Sequence, residues 1–139
     1  THSFWTYNGG SDITAGEEYS CVNGVVLDDG TAITDVGWYC GNNAGLTDPL
    51  YGTKQVALLE ANDFYVHDMH GNVWEWVHDF YEAQLGVGSQ VDPSGPLAGY
   101  GHVIRGGGFS SEPRYLRSAE RQEGLFSDST IGFRMAITR

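Results

Sequence analysis

The stretch that decides the fold reads His67-Asp68-Met69-His70-Gly71-Asn72-Val73-Trp74-Glu75-Trp76-Val77. Its second half alternates large aromatic residues with smaller or charged ones, and a two-residue period is typical of a β-strand. The Gly71-Asn72 pair before it is typical of a tight turn. We therefore predict a strand that packs Trp74 and Trp76 into the core. Glu75, on the opposite face, is then an ion-pair partner or a cation ligand.

Composition indicates one folded domain with many turns. The chain has 139 residues, enough to bury a core, and its 20 glycines against 4 prolines favour tight turns over long regular elements. No run of eighteen apolar residues is present, so we expect no transmembrane helix. Residues 1–7 lack the charged start and apolar middle of a signal peptide, and the compartment stays open.

Charge is divided unevenly along the chain, whose formal net charge is −11. Residues 1–104 hold Lys54 as their one lysine or arginine against 14 acids, whereas residues 105–139 hold six arginines against four acids. An acidic body repels phosphates, which argues against nucleic acid and membrane surfaces as partners. Two interpretations remain: the acidic part binds cations, or the arginine-rich end folds back over it.

Two cysteines, Cys21 and Cys40, allow two interpretations. They could form a disulfide, which would indicate an oxidising compartment, or they could be small buried residues. Spacing alone does not decide between these. Neither cysteine lies in a Cys-x-x-Cys pair, so we expect no zinc site.

Further elements follow from local patterns. We expect residues 25–27 to form a hairpin arm, residues 54–63 to form a helix, and Trp38 and Tyr39 to lie in the core. Residues 103–109, 115–121 and 131–137 are strand candidates, and the first runs into three glycines that suggest close backbone contacts.

Four arginines lie at similar places in these last three strand candidates: Arg105, Arg117, Arg121 and Arg134. Such side chains can bridge neighbouring strands by pairing with carboxylates or backbone carbonyls. The alternative is an anion-binding patch. The histidines His67, His70 and His78 are interpreted as structural rather than as metal ligands.

Five motifs, taken in order, resemble the sulfatase-modifying-factor family, whose best-known member is the formylglycine-generating enzyme. They are Asp68-Met69-His70-Gly71-Asn72-Val73-Trp74-Glu75-Trp76, Asp92-Pro93-Ser94-Gly95-Pro96, Val103-Ile104-Arg105-Gly106-Gly107-Gly108-Phe109, Leu116-Arg117-Ser118-Ala119-Glu120-Arg121 and Ile131-Gly132-Phe133-Arg134. The resemblance implies an α+β, C-type-lectin-like fold with little regular secondary structure, antiparallel strands and long loops. It also implies that residues 1–139 form a single domain similar to the C-terminal portion of the family domain. We expect a homodimer or a different lid to cover the N-terminal side.

The resemblance also bears on catalysis. Formylglycine-generating members oxidise a substrate cysteine with a copper-binding cysteine pair that follows a Gly-Gly-Ser-Tyr element, but the corresponding residues 107–115 contain no cysteine. We therefore predict no catalytic residue. The leading hypothesis is a non-catalytic, calcium-stabilised binding or scaffold module for a small-molecule or protein ligand. The alternative is an oxidoreductase fragment or subunit that needs a partner.

Site residues are implied in the same way. The family calcium site corresponds here to the Asp68 side chain, the Gly71 and Val73 carbonyls and the Glu75 carboxylate, an oxygen set that suits a hard cation. A second calcium site would use the Asp48 side chain and the Leu50 carbonyl. Loops 79–101 and 108–115 are the expected binding surface, with four candidate ligand-binding residues: Ser110, Ser111, Arg114 and Arg117.

Overall fold

The fold is built from short strands joined by long loops. The computed structural model describes residues 13, 16–27, 30–86, 88, 89, 91 and 93–136. In that part of the chain there are six strands: β1 (Gly37–Trp38), β2 (His70–Gly71), β3 (Trp74–Phe80), β4 (His102–Arg105), β5 (Gln122–Gly124) and β6 (Ile131–Gly132). The helices are one α-helical turn, α1 (Ile33–Val36), and two 3₁₀ turns, Glu17–Tyr19 and Pro113–Leu116. No helix among the described residues is long and apolar enough to cross a membrane.

Strand β3 lies inside a four-stranded sheet of order β5-β4-β3-β6. It pairs antiparallel with β4, where Glu75 faces Arg105, and parallel with β6, where Trp74 faces Ile131. The predicted strand is therefore confirmed, and it extends beyond the alternating stretch to Phe80. This places Glu75 in the middle of the sheet.

The turn before β3 needs its two residue types. Both Gly71 (φ 87°) and Asn72 (φ 65°) have left-handed backbones, as the predicted turn requires. A Cβ on Gly71 would lie 1.8 Å from the Trp38 carbonyl oxygen, so only glycine fits where β2 pairs with β1. The buried Asn72 side chain accepts from Lys54 N at 2.8 Å and donates to Lys54 O at 3.1 Å.

The buried core lies beside this sheet, around α1. Its members are apolar side chains from the first forty residues and one from the second 3₁₀ turn: Ile13, Val25, Leu27, Ile33, Val36, Tyr39 and Leu116. The prediction that Trp74 and Trp76 lie in the core is wrong, because both are only half-buried. Trp76 packs on Gly124 of β5, and Trp74 faces a surface cavity. Of the pair Trp38 and Tyr39, only Tyr39 is fully buried.

The predicted helix at residues 54–63 is wrong. Ala57 has a left-handed backbone (φ 59°), and its N–H donates to Asp68 Oδ2 at 2.7 Å. Val56 and Leu58 are 69% and 56% exposed, so the apolar run makes no buried face. A contact with a residue eleven positions away therefore replaces the local helix.

Two of the three late strand candidates also need correction. The prediction for residues 115–121 is wrong, because Pro113 at the start of a 3₁₀ turn and the Arg117 Nε bond to Arg114 O at 2.8 Å shape that segment. Only Ile131–Gly132 of the last candidate joins the sheet, residues 133–136 form no strand, and residue 137 lies outside the described residues.

Two further expectations are met, and the structure decides between the two interpretations of the cysteines. The hairpin arm at residues 25–27 pairs Val26 with Ala32, although Asp28 and Asp29 of its turn lie outside the described residues. Cys21 and Cys40 form a disulfide. Gly107 packs closely on Tyr115 and Leu116, as the triple glycine suggested.

The four arginines do pair with carboxylates or backbone carbonyls, but the prediction that they bridge neighbouring strands is wrong, because only Arg105 lies in a strand and Arg117 pairs within its own segment. Arg105 donates to the carbonyls of Ser118 and Glu120, and Arg121 donates to those of Glu82 and Ala83. The remaining two form ion pairs, Arg117 with Glu120 and Arg134 with Glu75. The Arg134–Glu75 pair joins the arginine-rich end to the acidic body.

Candidate functional site

The first predicted calcium site lies where the Gly71-Asn72 turn meets the glycines after β4. Gly71 N–H donates to Gly106 O at 2.7 Å. A Cβ on Gly106 (φ 92°) would lie 3.5 Å from the Met69 carbonyl oxygen and 3.9 Å from that of Val73. Two carbonyl oxygens therefore lie beside the space that glycine leaves open at position 106.

Asp68 and Glu75 flank this space and share one basic partner. Arg134 donates from Nε and Nη2 to the two oxygens of Glu75, at 2.9 and 2.7 Å, and from Nη2 to Asp68 O at 3.2 Å. The hydrogen bonds with Glu75 raise the pKa of the Arg134 guanidinium above its usual range. The guanidinium thus pairs with the Glu75 carboxylate and with the Asp68 backbone, while the Asp68 carboxylate forms no ion pair with Arg134.

One oxygen of this cluster has no partner. Asp68 Oδ2 accepts from Ala57 N, but the buried Asp68 Oδ1 forms no hydrogen bond in the described part of the chain. A buried carboxylate oxygen without a hydrogen-bond partner lowers the free energy of unfolding. Together with the Met69 and Val73 carbonyls and Glu75, it provides the mixed carboxylate and carbonyl oxygens that calcium prefers. The donor set fits this ion, although no group of three acidic, histidine or cysteine side chains occurs among the described residues.

The second predicted calcium site has different neighbours. Asp48 Oδ1 accepts from Leu50 N at 2.8 Å, which closes a local turn. The Leu50 carbonyl oxygen accepts from Lys54 Nζ at 2.5 Å. Both predicted ligands therefore already accept a hydrogen bond from the chain itself, Asp48 through Oδ1 and Leu50 through its carbonyl oxygen.

An open cavity of about 470 Å³ lies beside β3 and β4. It brings together three of the four candidate ligand-binding residues, Ser110, Ser111 and Arg114, and leaves Arg117 out of its lining. The remaining lining residues are Trp74, Ile104, Glu112, Tyr115 and Gln122. No described residue of loop 79–101 lines it, so only loop 108–115 of the expected surface contributes.

The cavity wall is held by local bonds. Ser111 Oγ accepts from Gly108 N at 2.9 Å, and the Ser111 carbonyl accepts from Cys40 N at 3.0 Å. The Arg114 guanidinium lies 4.5 Å from the Tyr115 ring centre, and its Nε lies 2.9 Å from Glu112 Oε2. Ser111 is therefore fixed by the loop. Ser110, which is exposed, is the hydroxyl that faces solvent.

His70 is a structural residue, as interpreted from the sequence. Its ring is buried. Nδ1 lies 2.7 Å from the Leu116 carbonyl oxygen and donates a hydrogen bond to it. Burial lowers the pKa of His70 below its usual value, and the bond to Leu116 partly opposes this. The ring therefore ties β2 to Leu116 of the core.

Comparison with known proteins identifies the family. The sequence matches the sulfatase-modifying factor enzyme 1-like domain over residues 8–139. The chain belongs to this family. It is 32% identical over 94 residues to the formylglycine-generating enzyme of Mus musculus, a match that covers 64% of this chain and 25% of the enzyme. It is 38% identical over 89 residues to the serine/threonine-protein kinase Pkn1 of Chlamydia trachomatis serovar L2, covering 60% of this chain and 14% of that protein.

Solved structures agree with the fold. Treponema denticola variable protein 1 superposes with a TM-score of 0.62 at 30% identity, covering 73% of this chain and 35% of that one. PvdO from Pseudomonas aeruginosa superposes with a TM-score of 0.59 at 29% identity, covering 86% of this chain and 41% of PvdO. The predicted fold, an α+β sulfatase-modifying-factor type with little regular secondary structure, is confirmed. The chain spans about a quarter of the matched formylglycine-generating enzymes.

Two features of the site were missed from the sequence. The Met69 carbonyl and the space at Gly106 arise from the crossing of two loops far apart in the chain. The signal that could have found them is the triple glycine after β4, which was interpreted only as a close backbone contact. The oxygens around Lys54 were also missed, although Lys54 is the only lysine or arginine in residues 1–104.

Proposed function

We propose that this domain is a calcium-stabilised binding module that does not generate formylglycine. The observation that supports this most is the cavity wall: residues 107–115 contribute hydroxyls, a carboxylate and a guanidinium, and contain no cysteine. Cu(I) prefers thiolate ligands, which serine hydroxyls do not replace. The two cysteines of the chain are joined in a disulfide, so neither supplies a thiolate.

The cavity has the chemistry of a small-molecule site. Its volume lies within the range of known ligand pockets, about 300–1,000 Å³. The Trp74 and Tyr115 rings meet edge to face, 6.1 Å apart, and provide an apolar wall. Ser110, Arg114 and Gln122 provide polar groups at its edge. An apolar wall with a few polar groups favours a compact ligand that carries hydrogen-bond acceptors.

The relatives support a module rather than one fixed activity. The matched domain forms part of proteins named as formylglycine-generating enzymes and of proteins named as serine/threonine-protein kinases. A fold that occurs in proteins with different named activities does not by itself define a reaction. The cavity residues of this chain therefore carry the proposal.

Calcium has a structural role in this proposal. Asp68, Val73 and Glu75 would hold the ion, together with the Met69 carbonyl and the turn at Gly71. A bound ion would supply positive charge to the Glu75 carboxylate, which pairs with Arg134, and to the Asp68 carboxylate, which forms no ion pair with it. Because its ligands come from the turn and from β3, the ion would fix the turn against the sheet. The cavity borders the same strand, because Trp74 of β3 lines it.

Binding is tested by screening a fragment library with ligand-observed NMR. Wild-type protein should bind a subset of fragments. Ser110→Trp, which fills the cavity, should lower the affinity for these fragments at least about tenfold. Ser94→Trp is the matched control, because Ser94 is exposed and outside the cavity lining. Equal binding to wild type and Ser110→Trp would contradict the cavity as the binding site.

Catalysis is tested separately. The domain, loaded with copper, is incubated with a cysteine-containing sulfatase peptide, and the product is analysed by mass spectrometry. We expect unchanged peptide. An aldehyde product would overturn the proposal and favour the oxidoreductase alternative.

A further inference from the structure

Lys54 is the only lysine of the chain, and its ammonium group is enclosed by oxygens. Nζ donates to Leu50 O at 2.5 Å, to Asn43 Oδ1 at 2.8 Å and to Gly52 O at 3.0 Å. The Trp38 ring centre lies 5.9 Å away, within the range of a cation–π contact. An ammonium group has three N–H donors, so this oxygen set satisfies all of them.

These oxygens are all uncharged. They are two backbone carbonyls and one side-chain amide, and no described carboxylate forms an ion pair with Lys54. The nearby Asp48 carboxylate is used by Leu50 N instead. Neutral oxygens and an aromatic ring suit a monovalent cation that donates hydrogen bonds, whereas calcium sites normally include carboxylates.

The oxygen set is also positioned by the rest of the fold. Asn43 Nδ2 donates to Gly52 O and to Phe109 O, both at 3.1 Å. The Asn43 side chain therefore joins loop 43–52 to residues 107–115 of the cavity wall. The Lys54 backbone pairs with the Asn72 side chain, as described above, and Phe109 N–H donates to Asn72 O at 2.8 Å. Three separate segments therefore meet around one ammonium group.

We propose that the Lys54 ammonium is the resident cation at the second position which the family resemblance gives to calcium. It holds loop 43–52 against the central turn, and this position takes no calcium ion. The oxygens form a site for a primary ammonium, to which the chain tethers its own ligand. When the side chain is removed, a free primary ammonium ion can occupy the same oxygens.

Chemical rescue tests this directly. Lys54→Ala should melt at least about 5 °C below wild type, because three carbonyl-type oxygens lose their donor. Methylammonium chloride at about 0.2 M should raise the melting temperature of Lys54→Ala by at least about 2 °C relative to tetramethylammonium chloride at the same concentration. The two ions carry the same charge, but only methylammonium has N–H donors. Equal melting temperatures in the two salts would overturn the proposal.

Two controls complete the experiment. Wild type and Gln55→Ala, a change at an exposed neighbouring residue, should melt at the same temperature in both salts. If Lys54→Ala does not fold, wild-type protein still gives a test, because Lys54 carries the only side-chain amine. Acetic anhydride should modify it at least about tenfold more slowly in the native protein than in urea, since its donors are bound. Similar rates in both states would also overturn the proposal.

Discussion

Two oxygen clusters in this domain each surround a basic side chain, and their difference is one of charge. Around Arg134, the guanidinium is paired with Glu75, and the neighbouring Asp68 carboxylate has no basic partner in the described part of the chain, where its Oδ1 forms no hydrogen bond. Around Lys54, the acceptors are neutral and all three ammonium hydrogens are used. The first cluster is therefore suited to an additional divalent ion, whereas the second is satisfied by the chain itself.

Removing the carboxylate from the first cluster should have the largest effect. At a calcium concentration about a hundredfold above Kd, binding stabilises wild type by about 2.7 kcal/mol. For a domain of this size, each kcal/mol raises Tm by about 3–5 °C. Glu75→Ala should abolish this rise and also lose the Arg134 pair, which contributes about 1 kcal/mol because Arg134 is partly exposed.

Differential scanning fluorimetry with calcium and with EGTA measures both effects. Glu60→Ala, which removes an exposed carboxylate, should keep the full calcium rise. A wild-type Tm that does not rise in excess calcium would mean that the cluster around Arg134 binds no calcium, and would contradict the difference between the two clusters.

Filling the space at Gly106 should have the next largest effect. Gly106→Ala introduces a side chain at φ 92° and places a Cβ beside the Met69 and Val73 carbonyls. We expect a loss of about 1–2 kcal/mol from backbone strain, and no calcium response. Gly24→Ala is the matched control, because Gly24 has φ 97° with open space around it. It should lose similar stability but keep the calcium response, and an unchanged response in Gly106→Ala would place the ion elsewhere.

Removing the competing guanidinium should have the smallest effect. In Arg134→Gln, calcium no longer competes with a bidentate partner for Glu75, so its Kd should fall about fivefold. Titration with a fluorescent calcium chelator as competitor measures this change. Arg121→Gln is a suitable control because Arg121 donates to the carbonyls of Glu82 and Ala83 and forms no ion pair with Glu75. A weaker calcium affinity in Arg134→Gln would mean that the arginine supports the site rather than competes for it.

The sequence predicted the centre of the fold because the signals there are local. Alternation defined β3, and the Gly71-Asn72 pair defined the turn, since both depend on neighbouring residues. The family resemblance then located Asp68 and Glu75 on one side of that turn.

The failures involve contacts between distant segments. The helix expected at residues 54–63 is lost because Asp68 binds the Ala57 N–H. The core position of the two tryptophans was wrong because alternation shows which residues share a face, but not how completely another element covers it. The cavity brings Ser110, Ser111 and Arg114 together but not Arg117, because a 3₁₀ turn rather than a strand follows Pro113.

Some expectations remain predictions. One is the homodimer, or the different lid, expected to cover the N-terminal side; residues 1–12 lie outside the described residues. Sedimentation velocity at increasing concentration measures the homodimer directly, and a constant monomer mass would contradict it.

Isothermal titration calorimetry of calcium into EGTA-treated, dialysed wild-type protein is the most direct measurement of the difference between the two clusters. One bound ion per chain is expected, lost in Glu75→Ala and retained in Lys54→Ala. Two ions bound to wild type would contradict the role of Lys54, and none would contradict the site formed by Asp68, Met69, Val73 and Glu75.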